Sequence, residues 1–187
     1  MNVKAIADKY LQAKDAPSDI NEHLEILHTL SLECSHIVEA GVRYVVSTWA
    51  FLLGCACRGG EVHSYCWNLI PEIQSALDLC KKSKVPWSYY DGDWLKRDIP
   101  ETDLLFIDTN HFYSQLSQEL NTHGNKARKF IALHDTVSFG TVGADNKTPG
   151  LWAAVEEFLD TNHCWHIKSH YTNCNGLTVL ERTNEDS

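Results

Sequence analysis

The sequence predicts an α/β fold: a three-layer sandwich in which a doubly wound, mostly parallel sheet lies between two layers of helices. Three observations carry that expectation. Strand-like and helix-like segments alternate from residue 36 onward. The run Asp103-Leu104-Leu105-Phe106-Ile107-Asp108 is apolar and bounded by acids, the pattern of a strand buried on both faces. Two closing strand patterns flank Thr172-Asn173-Cys174-Asn175-Gly176, whose Asn-Gly pair favours a reversal, so these two run antiparallel.

Two helices precede the sheet. Lys4 to Lys14 is short and amphipathic. After Pro17, Ser18-Asp19 caps a second helix with Ile20, Leu24, Leu27 and Leu30 at helical spacing and Ile26 widening the stripe. His36 to Ala40 is the first strand, ending in a turn at Gly41. A helix over Ser47 to Cys57 stops at Arg58-Gly59-Gly60, and Glu61 to Cys66 is the second strand. The helix Pro71 to Lys84 ends at Val85-Pro86. Trp87 to Tyr90 is the third strand, closed by Asp91-Gly92-Asp93, and the acid-bounded run from Asp103 is the fourth. A helix from Phe112 to His123 leads to the fifth strand, Lys129 to Asp135. The loop Thr136 to Pro149 is long, polar and glycine-containing, the composition of a mobile lid. Gly150 to Asp160 is helical, and Trp165 to Tyr171 and Leu177 to Glu181 are the last strands. Residues 183–187 are expected to fray. All 187 residues make one domain: N-terminal helices over 1–33, a core over 34–182, and the loop at 136–149.

Composition narrows the function. Hydrophobic residues are 43% and charged residues 22%, the balance of a globular chain. Sixteen Lys and Arg against 25 Asp and Glu leave a net charge of −9, the wrong sign for a generic phosphate-backbone binder. MNVKAIADKYLQAK lacks the apolar core of a signal peptide. The longest apolar stretch, Val42 to Cys57, is broken by Arg43, Ser47 and Thr48 and falls short of a span. Seven cysteines, an odd number, predict free thiols in a reducing compartment. The expectation is a cytoplasmic protein with neither a nucleic-acid nor a membrane partner.

In such a sheet, ligands bind beyond the carboxyl ends of the strands. Glu39-Ala40-Gly41 followed by a helix start is a nucleotide-type site, because glycine admits close backbone approach and a helix N-terminus offers free N–H groups. The fourth strand ends in Asp108-Thr109-Asn110-His111, and the fifth ends in His134-Asp135. Asp108, His134 and Asp135 together suit a divalent cation, although either acid alone reads as a helix cap. Asp108, His111 and His134 also match the ligand count of a non-haem iron oxygenase. Trp67, Trp87, Trp94 and Trp152 read as core residues, with Trp94, after Asp93 at a strand end, able to cover a flat ring. Cys55-Ala56-Cys57 reads as a buried helix face.

These segments have a family likeness. Glu39-Ala40-Gly41-Val42-Arg43-x-x-x-Ser47-Thr48, Gly92-Asp93, Asp103 to Tyr113, Leu133-His134-Asp135-Thr136 and Tyr171 to Arg182 resemble class I S-adenosylmethionine-dependent methyltransferases. The branch is the small one related to cephalosporin hydroxylase and to macrolide-sugar O-methyltransferases. The resemblance implies a Rossmann-like sheet of seven strands with its last strand antiparallel. It implies cofactor binding at Glu39, Gly41 and the turn bearing Arg43, Tyr44, Ser47 and Thr48, with Cys66 at the ribose position and Asp93 and Trp94 by the adenine. It also implies a divalent metal, Mn or Mg, at Asp108, His134 and Asp135. Two departures stand out. Val45 replaces a family glycine and would crowd the methionine part of the cofactor. Cys66 replaces the acid that holds the ribose hydroxyls, a loss of about 1.5–3 kcal/mol, or roughly 10- to 150-fold in affinity.

The function expected is metal-dependent O-methylation of a sugar hydroxyl, on a deoxysugar or a glycan. Asp108 and His111 are its catalytic residues, His111 as the base. A homo-oligomer or a glycosyltransferase is the partner such domains keep. Val45 and Cys66 motivate the alternative of a degenerate ligand- or partner-binding domain. The Asp108, His111 and His134 set motivates that of an iron-dependent hydroxylase.

Overall fold

The computed structural model describes residues 3–183. The expected fraying beyond Thr183 therefore lies outside the described residues. Helix α1 (Val3–Asp15) is followed by a 3-10 turn (Asn21–His23) and α2 (Leu24–Ser31). Ser18 Oγ accepts from the backbone N–H groups of Ile20 at 3.3 Å and Asn21 at 2.9 Å. Its cap therefore starts the 3-10 turn, and α2 begins later than the apolar spacing predicts.

Strands and helices then alternate: β1 (His36–Ala40), α3 (Val46–Arg58), β2 (Glu61–Cys66), α4 (Pro71–Ser83), β3 (Trp87–Asp91), β4 (Thr102–Ile107), α5 (Tyr113–His123), β5 (Ala127–His134), α6 (Leu151–Thr161), β6 (Trp165–Tyr171) and β7 (Leu177–Arg182). They build one seven-stranded sheet in the order β3-β2-β1-β4-β5-β7-β6. All pairs are parallel except those of β7, which runs antiparallel to both β5 and β6.

The strand period of two sorts side chains between two cores. Ile37, Leu104, Phe106, Phe130 and Ala132 join residues of α1 to α4 on one face. Val38, Ala40, Leu105, Ile107, Ile131 and Leu133 join α5 and α6 on the other. Both faces of β4 are thus covered, and every one of its residues is buried. The N-terminal helices belong to the first layer, packing on α3.

The C-terminal reversal is wider than its Asn-Gly pair suggests. Cys174, Asn175 and Gly176 take φ of 46°, 66° and 95° in succession. A Cβ on Gly176 would sit 2.6 Å from the Val137 nitrogen, so the glycine lets this turn press against the loop after β5.

That loop is fastened at several points. Val137 and Ser138 donate backbone hydrogen bonds to Asn175 O, Ala144 donates to His111 O, and Tyr113 donates to Pro149 O. Asp145 Oδ1 accepts from the N–H groups of Lys147 and Thr148. A lid motion of residues 136–149 would have to break the bonds to Asn175, His111 and Tyr113. Among the described residues no helix is long and apolar enough to cross a membrane.

Phe106 anchors the first core, its ring centroid 5.3 Å from that of Phe51 on α3. Phe106→Ala should destabilise the protein by roughly 3–5 kcal/mol. Urea unfolding should show a lower midpoint with an unchanged slope.

Candidate active site at the carboxyl edge of the sheet

β1 ends at the turn from Gly41 to Val45. Gly41 has φ +93°, and a Cβ there would lie 1.8 Å from the Asp108 carbonyl oxygen. The glycine is therefore required by the end of β4 as well as by any ligand. Arg43 and Val45 also adopt positive φ, 45° and 66°. A β-branched residue in this region is strained by about 1–2 kcal/mol. Val45 is buried in the helical layer and lines neither cavity of this site. The expected crowding of the methionine position is corrected: its side chain points into the core while its backbone takes the shape a glycine would supply.

Glu39 likewise faces the interior. It is 0% exposed and lines no cavity of this site. Ser47 Oγ donates to Oε1 at 2.7 Å, Thr48 Oγ1 lies 2.9 Å from Oε2, and Ser64 Oγ donates to Oε2 at 2.6 Å. Trp87 Nε1 donates in turn to Ser64 Oγ at 2.9 Å, so one network joins β1, α3, β2 and β3. Glu39 and Thr48, expected at the cofactor, are structural here, and Ser47 only reaches a cavity wall. Burial pushes the Glu39 carboxyl up to about 7, against the pull of the three hydroxyls.

Two cavities open at this edge. The first, of about 410 Å³, is lined by Gly41, Arg43, Cys66, Trp67, Asp93, Trp94, Asp108 and Asn110, among others. The second, of about 330 Å³, lies between Ser18-Asp19-Ile20 and the turn bearing Arg43, Tyr44 and Ser47. Asp108 and Arg43 line both. Arg43 Nη1 reaches Asp19 Oδ2 at 2.9 Å, across the mouth of the second cavity.

Trp94 touches the first cavity but is 4% exposed, with its Nε1 donating to buried Glu119 at 2.9 Å. Its ring belongs to the second core. Trp67, one residue past β2, is 62% exposed on the wall of the same cavity. The expectation of a core Trp67 is therefore corrected, and Trp67, not Trp94, presents a free aromatic face. Its signal in the sequence was its place directly after a strand end. Cys66 does line the cavity, and among the described residues Asp93 and Asp108 are the carboxylates on its wall. Asp93 is engaged, accepting from Leu95 N at 3.2 Å and pairing with Lys96 at 3.2 Å. Asn68, the residue after Trp67, is absent from the wall and donates its N–H to Asp91.

The ends of β4 and β5 meet in a charged cluster. Ligand atoms of Asp108, His111 and Asp135 lie within 4.8 Å of one another. His111 Nε2 is 2.7 Å from Asp135 Oδ2, and its ring stacks on Phe139 with centroids 4.3 Å apart. His134 is buried behind them. Its Nδ1 lies 3.4 Å from Asp108 and 3.3 Å from Asp135, and its Nε2 lies 3.1 Å from the carbonyls of Asp19 and Cys174. Burial opposes its charge, but the two carboxylates outweigh burial and raise it to about 10. Burial also pushes Asp135 up, yet His111 and His134 together hold it below the usual carboxylate range. His134 Nδ1 and Asp135 Oδ1 are buried without a hydrogen-bond partner. Of the three expected ligands, Asp108 and Asp135 thus group with His111, and His134 lies behind them in contact with both carboxylates. The iron triad of Asp108, His111 and His134 does not stand apart, because Asp135 lies among them.

No family model matches the sequence, and no curated protein matches it. Solved structures do. The chain is similar to the O-methyltransferase TomG from Streptomyces achromogenes, involved in tomaymycin synthesis and solved with S-adenosylmethionine. The identity is 15%, the TM-score 0.68, and the match covers 97% of this chain and 89% of that one. A Podospora anserina methyltransferase with bound S-adenosylhomocysteine matches at 15% identity and TM-score 0.66, over 96% and 88%. A Staphylococcus aureus putative caffeoyl-CoA O-methyltransferase matches at 12% identity and TM-score 0.66, over 97% and 92%. At this identity the likeness is one of fold, and the fold is the Rossmann-like one of class I methyltransferases.

Glu39 ionises at about 7 when folded and near 4.5 when exposed. The native state therefore favours the protonated carboxyl, and stability falls as pH rises from about 4.5 through about 7, by up to about 3 kcal/mol. Glu39→Gln removes that dependence. Its melting temperature relative to the unaltered protein should improve from pH 4.5 to pH 8. An offset that does not change with pH would contradict this.

Proposed function

We propose that this protein is an S-adenosylmethionine-dependent O-methyltransferase that uses a divalent cation and acts on a sugar hydroxyl. The observation that carries the reading is Asp108, which lines both cavities and enters the charged cluster. A cofactor spanning the cavities would bring its methyl group to the one place where carboxylates and imidazoles gather. The fold supports this placement, since ligands of such sheets lie at the carboxyl edge.

Trp67 covers the adenine, and Gly41 lets the backbone approach. Cys66 faces the ribose without the charge-assisted contact an acid makes. The Arg43–Asp19 pair closes over the methionine end.

The donor set fits a divalent cation. Two carboxylates and His134 Nδ1 converge; the Nδ1 proton that those carboxylates hold leaves when a cation takes its place, and His134 Nδ1 and Asp135 Oδ1 are buried without hydrogen-bond partners. The two carbonyls at His134 Nε2 hold its proton there, the usual outer support of a metal-bound imidazole. Such a cation supplies positive charge that holds the acceptor oxygen and lowers its pKa. An imidazole among carboxylates favours manganese over magnesium.

His111 is the most exposed of the four side chains. With its ring set by Asp135 and Phe139, it takes the acceptor proton. The acceptor oxygen attacks the methyl carbon, the carbon–sulfur bond breaks, and S-adenosylhomocysteine leaves. Alignment of oxygen, carbon and sulfur is a positioning effect. The sugar acceptor rests on the sequence resemblance, and no residue here selects one hydroxyl.

Methyl transfer to a panel of free and nucleotide-linked deoxysugars, followed with labelled donor, tests the reading. Activity should vanish in EDTA and return more fully with manganese than with magnesium. Asp108→Ala and Asp135→Ala should abolish it while the fold persists. Full activity in EDTA would remove the cation from the mechanism, and transfer to catechols alone would remove the sugar.

Two substitutions test the cofactor site by calorimetry with S-adenosylhomocysteine. Trp67→Ala should weaken binding roughly 5- to 150-fold, the cost of one base–aromatic stack. Cys66→Glu should tighten it by about tenfold or more, by restoring the ribose contact. No binding by the unaltered protein would favour a degenerate binding domain.

A further inference from the structure

A second cluster lies at the opposite edge of the sheet, where β1 and β2 begin. The parallel register sets His36 opposite Glu61 and Val38 opposite His63. By the period of two, His36, Glu61 and His63 emerge on one face, the face that carries Val38 and Tyr65 into the second core. His36 Nε2 lies 3.5 Å from Glu61 Oε1, and His63 Nε2 lies 3.3 Å from Glu61 Oε2. Ligand atoms of all three fall within 4.8 Å of one another, and the two rings are 4.7 Å apart at their centroids.

These spacings match a metal polyhedron. Zinc bonds of about 2.0–2.1 Å in a tetrahedral array set neighbouring ligand atoms about 3.3–3.4 Å apart. The imidazoles are 13% and 15% exposed and the carboxylate 50%, so the cluster is anchored in the sheet and open to water on one side. Burial and the neighbouring His63 hold His36 below its ordinary value. His36 Nε2, the atom that faces the cluster, has only the long contact to Glu61. The surroundings support the two rings. Tyr90 Oη lies 3.4 Å from His63 Nδ1, and Asp103 Oδ2 accepts from Ser35 N at 2.8 Å and His36 N at 3.3 Å, fixing the start of β1.

We propose that His36, Glu61 and His63 form a metal site for a zinc-like divalent transition ion, with water completing its shell. Two imidazoles and one carboxylate select such an ion over magnesium or calcium. The site ties the first residue of β1 to β2 across the sheet. It lies roughly 15 Å along β1 from the carboxyl edge, so it takes no part in the chemistry there.

Zinc titration of the full chain tests this. Asp108→Asn with Asp135→Asn removes the two carboxylates of the cluster at the carboxyl edge, and the double variant should still bind one equivalent of zinc that depends on His63. Adding His63→Gln should weaken that equivalent at least tenfold, since even outer-shell losses cost that much. Zinc should raise the melting temperature of the double variant but not of the triple one. Far-UV circular dichroism without zinc checks that each variant folds. Should His63→Gln not fold, Glu61→Gln, at the exposed position, gives the same comparison. No zinc bound by the double variant, or equal affinity after loss of His63 or Glu61, would overturn the proposal.

Discussion

One buried carboxylate organises the carboxyl edge of this sheet. Glu39 has no access to water, and its oxygens take hydrogen bonds from Ser47, Thr48 and Ser64. A buried polar group left unpaired costs about 1–3 kcal/mol, so these donors are obligatory partners. They come from α3 and β2, and Ser64 passes the constraint to Trp87 on β3. The turn between β1 and α3 therefore has little freedom. It carries Val45 in a left-handed conformation because the helix start must meet Glu39 while the strand end must meet Asp108.

Everything at the site hangs from that turn. Gly41 brings β1 against Asp108, and Arg43 crosses to Asp19 on the N-terminal segment. The same segment supplies the Asp19 carbonyl to His134, so the N-terminal helices form part of the site wall as well as packing on α3. On the other side, Glu119 accepts from Trp94, Thr109 and Gln115 and holds the ends of β3 and β4 together. Two buried carboxylates thus brace the two sides of a cleft whose floor is Asp108. Part of the net charge of −9 is spent in this way, inside the protein and around the cluster, where it is matched by hydroxyls and imidazoles.

Much of this was legible in the chain. Alternating patterns and the acid-bounded run from Asp103 located the strands, because burial on two faces demands continuous apolar sequence. The strand ends also located Asp108, His134 and Asp135, since topology places such residues on one edge. Other features were illegible for identifiable reasons. Glu39 looked like a ligand-facing acid, but the direction of a side chain at a strand end depends on which face the next helix covers. Trp67 and Trp94 have similar sequence settings, and only packing against Glu119 turned one inward and left the other out. His36 lies far in sequence from Glu61 and His63, which sit together on β2, and strand register alone brings the three together.

By itself, the sequence determined the doubly wound sheet, its antiparallel last strand and the edge on which Asp108, His134 and Asp135 gather. These follow from periodicity, capping and turn residues, which are local and survive without knowledge of neighbours. The tertiary structure decided which acids are structural and which face a cavity, that Val45 does not obstruct, and that His111 joins the charged cluster. Those outcomes depend on register, helix placement and desolvation, which are properties of contacts between segments distant in the chain.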